Sequence, residues 1–423
     1  MAPKVGGAAL SKDAIYMDQG EWNVSIGLRH ARATTFYRGA SVARGVPGVR
    51  RTQTIATVTT TYAVTKQDSL SLDVPIVNAQ FALGSLPTGP VNATRTSGVG
   101  DVVLTYRRWL TLVPPFRDSS SGWRRNLALG IGIKLPTGNT DARDRFPDIT
   151  GATRILRDID ATSQPGDGGV GVLLDAQGFQ TVGSSTLFAY AAYLISPRNT
   201  NDTVSLFSNL FGAANIPARV RRNSVPDQFT VLVGIARPIP RARGLSGSLG
   251  LRVAGIPPSD LIGRSDGFRF AAYRIAIEPG LSYSRGRNTI QASVPIVLHR
   301  QVFDTDVVPG QDFASFAPFQ VQLQLAHRFG PGPRERRHLA GLGGGSPTPR
   351  APKPAPAQDG DRERSHAPSH QTRPRPLCNP TPCGATRPAG SSFFLLTSPF
   401  SKGGMPRPGN AGILPALAGD QAQ

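Results

Sequence analysis

Along most of the chain, apolar and polar side chains take turns. The clearest run is Pro318–Phe329, PFQVQLQLAHRF. Phe319, Val321, Leu323, Leu325, His327 and Phe329 fall on one side of it, and Gln320, Gln322, Gln324, Ala326 and Arg328 on the other. Successive residues of a strand point to opposite faces, so the run predicts a strand with one apolar and one amide-rich face. In Arg125–Pro136, Leu127, Leu129, Ile131, Ile133 and Leu135 alternate with Ala128, Gly130, Gly132 and Lys134. In Glu21–Tyr37, Trp22, Val24, Ile26 and Leu28 oppose Asn23, Ser25, Gly27 and Arg29. In Arg269–Arg285, Tyr273, Ile275, Ile277, Leu281 and Tyr283 oppose Arg274, Ala276, Glu278, Ser282 and Ser284. Eight more segments carry the period: Thr52–Thr65, Ser69–Gln80, Gly98–Leu110, Val170–Thr181, Thr186–Ser196, Gln228–Pro238, Gly247–Pro257 and Thr289–Arg300.

The connections sort by length. After odd-numbered strands they are long, at 39–51, 81–97, 137–169, 197–227, 258–268 and 301–317. After even-numbered strands they are short, at 66–68, 182–185, 239–246 and 286–288, with 111–124 as the exception. About twelve strands, long loops at one end and short turns at the other predict an all-β fold. It is a single transmembrane antiparallel up-and-down β-barrel spanning 21–329, located in the cell outer membrane with both ends periplasmic. The competing reading is a soluble sandwich that buries its apolar faces against a second layer. An amphipathic closing strand ending in Phe329 resembles the terminal strand of bacterial outer-membrane barrels. The resemblance implies the barrel insertion machinery as a partner, alongside outer-membrane lipid.

Pro75, Pro279 and Pro295 run against closed pairing, because proline donates nothing to a ladder. Pro75 and Pro295 sit in the same local sequence, VPIV, at 74–77 and 294–297. They are expected to kink the wall and to open a side exit for an apolar solute.

Composition narrows the picture. The 423 residues are 39% hydrophobic, and no apolar run approaches the ~18 residues of a spanning helix, which excludes a helical membrane protein. The net charge of +20 invites a nucleic-acid partner. The arginines, however, sit singly in turns and loops, in no nucleic-acid signature, and none is expected to bind nucleic acid. The cysteines, Cys378 and Cys383, are too few for a disulfide framework, and CNPTPC fits no metal motif. Gly330–Gln423, dense in Pro, Gly and Arg, reads as a disordered tail or as sequence beyond a true stop. Met1–Gly20 has a lone Lys4 and no apolar stretch of the ~7–15 residues an export signal needs. Either the signal is missing from this start or the protein stays inside.

Candidate chemistry is thin. Ser293 and His299, a conceivable hydrolytic pair, share one strand and stand too far apart. PGDGG lacks the ending of a phosphate loop and opens a strand. Asp141, Asp144 and Asp148 lack calcium-loop spacing. No enzyme, cofactor or metal is expected. A charge on the lipid face costs ~2–4 kcal/mol at mid-membrane, so Arg29, Lys134, Asp175, Gln177, Arg252, Arg274, Glu278, Gln320, Gln322 and Gln324 are assigned to the lumen. There they form either a space-filling network or a solute path. Trp22, Trp109, Tyr62, Tyr190, Tyr193 and Tyr283 suit interfacial girdles. Arg38, Arg44, Arg50, Arg51, Arg219, Arg221 and Arg222 are expected to face outward, toward lipopolysaccharide phosphates or water.

Four segments, GVGD (98–101), GIGIKLPTG (130–138), PGDGGVGVLLDAQGF (165–179) and SPRNTN (196–201), resemble in that order one family. It is the outer-membrane transporter-like barrels grouped with the meta-pathway phenol-degradation proteins, distant relatives of the fatty-acid transport barrels. The resemblance covers about 20–329. It implies a channel for passive uptake of small hydrophobic or aromatic compounds. The alternative is a structural or adhesion barrel with a plugged lumen.

Overall fold

The computed structural model describes residues 17–44, 48–83, 92–111, 125–147, 154–205, 208, 214, 216–303 and 314–330. The 330–423 tail, after Gly330, and Met1–Gly20, before its last four residues, lie outside them. Twelve strands form the body. They are β1 (Trp22–Ala33), β2 (Val49–Ala63), β3 (Asp68–Leu83) and β4 in two segments (Asn92–Val99 and Val102–Trp109). Next come β5 (Arg125–Leu135), β6 (Gly171–Val182), β7 (Ser185–Ile195) and β8 (Gln228–Pro238). The last are β9 (Leu245–Ile256), β10 (Ala272–Arg285), β11 in two segments (Asn288–Ser293 and Ile296–Val302) and β12 (Gln320–Phe329).

Each strand pairs antiparallel with the next. The ring then closes on itself, β12 on β1, with Phe329 opposite Trp22 and Gln322 opposite Arg29. Closure leaves no unpaired edge. The short turns are tight enough to need a left-handed residue, supplied by Gly183 (φ 56°) and Gly286 (φ 61°).

Burial is inverted relative to a protein in water. Facing into the barrel, Ala128, Lys134, Arg252 and Gln322 are 0%, 4%, 1% and 1% exposed. Facing out, Leu129 and Ile131 are 49% and 56% exposed. The row Leu127–Ile131–Leu135 with Leu129 and Ile133 continues around the wall through Leu72, Leu104, Leu174, Leu187, Val233, Leu251 and Leu323, all exposed. In water the β5 row alone would leave on the order of 5 kcal/mol of apolar burial unrealised. Hydrocarbon removes that cost, and a closed barrel satisfies the backbone groups that hydrocarbon cannot.

The boundaries differ most from the sequence expectation in two places, and β2 also starts three residues early, at Val49. β4 starts at Asn92 rather than Gly98, because Thr94 and Thr96 extend the ladder along β3. β1 stops at Ala33, and Phe36–Arg38 forms a separate small sheet with Ser41–Val42 and Ala314–Ser315 at the loop end. The long connection after β5 carries a hairpin, Arg143–Pro147 with Arg154–Asp158, and a one-turn 3-10 segment, Ala161–Ser163. That turn lies against the inward side of β2 and β3: the Gln53 amide donates to the Thr162 carbonyl at 3.1 Å.

Candidate functional site

The inward face is built by register. Arg107 lies opposite Gly130, and Gly130 lies opposite Asp175. Across that glycine the Arg107 Nε donates to Asp175 Oδ1 at 3.1 Å, and a second guanidinium nitrogen to Oδ2. Any Cβ at position 130 would overlap the carboxylate. Gly132, one step up the same face, is held by Thr105 and the Leu104 carbonyl, each within 2.9 Å of where a Cβ would stand. The alternating glycines of GIGIK thus make room for side chains from both neighbouring strands.

A second group occupies β9 to β12. Arg252 Nε donates to Glu278 Oε2 at 2.6 Å. The Ser293 hydroxyl lies 3.0 Å from Glu278 Oε1 and 3.3 Å from Gln322 Oε1. With its amide oxygen turned toward β10, Gln320 accepts two hydrogen bonds from the Arg274 guanidinium, at 2.8 and 2.9 Å. Gln324 donates to the Ser25 hydroxyl at 2.9 Å. Gln177 is half-buried two residues beyond Asp175 on the inward side, and Arg29 is half-buried between Ile55 and Gln322. Toward the turn end, small polar groups line the inside: Ser25, Ser71, Thr181, Thr186, Ser282 and Gln291, all buried.

The third group sits at the loop end, where β4 is interrupted at Gly100–Asp101. Asp101 Oδ1 accepts from the Gly138 amide at 3.0 Å and Oδ2 from the Asp167 amide at 3.1 Å. Lys134 is paired with Asp167 and lies 3.7 Å from Asp101. The Thr137 hydroxyl donates to the Gly100 carbonyl at 2.9 Å and accepts from the Val102 amide at 3.0 Å. Arg198 donates to the Gly168 carbonyl at 2.8 Å, and Asn201 to the Asp167 carbonyl at 3.1 Å. The four segments GVGD, KLPTG, PGDGG and SPRNTN therefore converge in one clasp where four strands reach the rim.

Both prolines lie at wall irregularities. Pro75 faces the interruption of β4, and its carbonyl accepts from the Gly100 amide at 2.8 Å. Pro295 lies in the interruption of β11, which is spanned by Val294 N to Pro279 O at 3.1 Å and Gln320 N to Pro295 O at 3.0 Å. A side exit at either place requires these bonds to open. Ser293 is buried against Glu278, whereas His299 is exposed beside Tyr273, with ring centroids 5.8 Å apart, so the two do not meet.

Three residues fall elsewhere than expected. Trp109 and Tyr190 are buried inside, Trp109 edge-on to Phe179 at 6.0 Å, and belong to no girdle. Both share the parity of polar inward residues on their own strands, Arg107 and Thr186, and that parity was the available signal. Arg51 is not in an outward loop. It lies in β2 and donates inward to the Ser315 carbonyl at 2.9 Å. Trp22 and Tyr62 do meet on the outer surface near the turn end, with ring centroids 4.6 Å apart.

Charged and amide groups buried inside a closed ring, with large apolar side chains exposed outside it, decide the solvent. This is an outer-membrane β-barrel. Its short turns face the periplasm and its long loops the exterior. No protein-family model matches the chain, and no curated protein matches it. Among solved structures it is similar to an outer membrane channel from Pseudomonas putida F1, at 14% identity and a TM-score of 0.49, over 74% of this chain and 97% of that one. It is also similar to the CymD monoaromatic hydrocarbon channel, at 9% identity and a TM-score of 0.34, over 74% and 88% of the two chains. A FadL homologue of Pseudomonas aeruginosa aligns at 9% identity and 0.31, over 73% and 90%. At such values nothing of what those channels carry transfers to this barrel.

Proposed function

We propose that the barrel is a passive channel for small hydrophobic or aromatic compounds. The observation that carries the reading is how the interior charges are paired. Arg107 with Asp175, Arg252 with Glu278, and Lys134 with Asp101 and Asp167 each join elements at most two strands apart around the wall. Among the described residues no ion pair bridges the lumen. Barrels of about 8 strands are filled by their own side chains, and those of about 16 hold open water. Twelve strands with charges held to the wall suit a narrow path. The motif resemblance supports the apolar character of the solute.

A plugged structural barrel is the second reading. The Ala161–Ser163 turn against β2 and β3 favours it, because that segment occupies space inside the loop end. Uptake separates the two. Cells carrying the protein in the outer membrane should accumulate radiolabelled phenol faster than cells without it. Equal rates at verified outer-membrane levels would contradict the channel.

A further inference from the structure

The loop-end half of the lumen carries more guanidinium than carboxylate. Arg29, Arg51, Arg252 and Arg274 project inward from β1, β2, β9 and β10, and each acts electrostatically on others of the set. Two carboxylates answer them. Glu278 is taken up by Arg252 at 2.6 Å, and Asp160 lies within electrostatic reach of Arg51 without forming an ion pair with it. Arg29, Arg51 and Arg274 thus have no ion-pair partner among the described residues. Arg51 spends one donor on the Ser315 carbonyl and Arg274 two on Gln320. A guanidinium has five N–H donors, so most of those on the three arginines remain uncommitted.

Register explains why they are close. Arg29 faces Gln322 on β12 across one strand pair. Gln320, two residues along the same face, holds Arg274 of β10. One face of β12 therefore sets Gln322 opposite Arg29 of β1 and Gln320 against Arg274, which reaches it from β10, two strands away. Like charges packed together in a restricted space repel, and an anion entering among them is attracted by all. Rings of Arg or Lys are how pores favour anions, and a guanidinium fork matches a planar carboxylate better than it matches a sphere.

We infer that Arg29, Arg51 and Arg274, the last held by Gln320, form an anion site in the lumen that selects small organic carboxylates. The carboxylate half follows from the arginines, and the apolar body of the solute rests on the channel reading above.

The test compares benzoate with its neutral analogue benzyl alcohol, by calorimetry on the full chain folded in detergent. Benzoate should bind at least ~10-fold more tightly, and Arg29→Gln or Arg274→Gln should bring the two toward parity. Arg29→Lys keeps the charge without the fork and should fall between. Folding of every variant is read from its heat-dependent gel mobility. A potassium chloride gradient across a planar bilayer should show chloride passing several-fold more readily than potassium, with the preference reduced in the Gln variants. Equal binding of the two compounds, or unchanged binding in folded Gln variants, would overturn the site. Benzoate binding without conductance or phenol uptake would instead uphold the site and sink the channel. Conductance favouring potassium with no benzoate preference would do the reverse.

Discussion

Arg107 and Asp175 meet across a strand to which neither belongs, through the gap left by Gly130. Both are buried, with side-chain exposures of 7% and 0%. Removing one partner of such a pair leaves a buried charge uncompensated. Asp175→Asn should cost about 3–5 kcal/mol, read as a shift in the urea midpoint of the folded band in detergent. Gly130→Val should act similarly, because its side chain would displace the carboxylate. A variant of either kind as stable as the parent would show that the pair is not holding β4 to β6.

The rim clasp depends on backbone contact that a side chain would prevent. A Cβ on Gly138 would stand 2.7 Å from Gly166 Cα, and one on Gly166 would stand 2.6 Å from the Gly138 carbonyl oxygen. Gly138→Ala and Gly166→Ala should therefore loosen the 137–169 connection while leaving the barrel wall paired. Limited proteolysis of intact cells should cut that loop several-fold faster. Thr137→Val removes one donor and one acceptor at the β4 interruption and should cost ~1–3 kcal/mol.

The inside–outside assignment predicts opposite tolerances on adjacent faces. Ile131→Lys places a charge in the lipid and should cost ~2–4 kcal/mol. Gln177→Lys, facing inward, should cost far less. Paired urea titrations of the two variants check this, and equal costs would contradict the assignment.

Much of the fold is legible in the sequence because strand periodicity is local. Leu127 to Leu135 declare their face without reference to any partner, and so do the glutamines of β12. The start of β4 was not legible. In Asn92–Val99, both faces are polar or small, so nothing in NATRTS marks one as buried. The site was legible as parity and not as pairing. Lys134, Asp175, Arg252 and Glu278 can be assigned to one face from their neighbours. That Arg107 would reach Asp175, 68 residues away, depends on the registers of two ladders. The clasp was harder still. Asp101 and Asp167 stand 66 residues apart, and their meeting depends on how the long loop returns. The identity of the glycines carried that information only in retrospect.

Asp160 supplies a pH dependence. It lies in the loop before the Ala161–Ser163 turn, where burial pushes its carboxyl above the usual range, against the hydrogen bonds from Thr162 and the charge of Arg51. Its folded pKa thus exceeds its unfolded one, so protonation favours the folded turn and the ionised form costs stability as pH rises through the folded value. Asp160→Asn should raise the temperature of the gel-mobility shift at pH 8. That gain should shrink as pH falls toward the ordinary carboxylate range. A pH-independent difference would place the effect elsewhere.

The most direct test is electrical. The purified full chain, inserted into a planar lipid bilayer, should produce discrete single-channel current steps, small because twelve strands with charges along the wall leave a narrow path. Insertion is verified on the same sample by its heat-dependent gel mobility. Inserted protein that stays silent at all voltages would contradict a conducting lumen and leave a plugged barrel in its place.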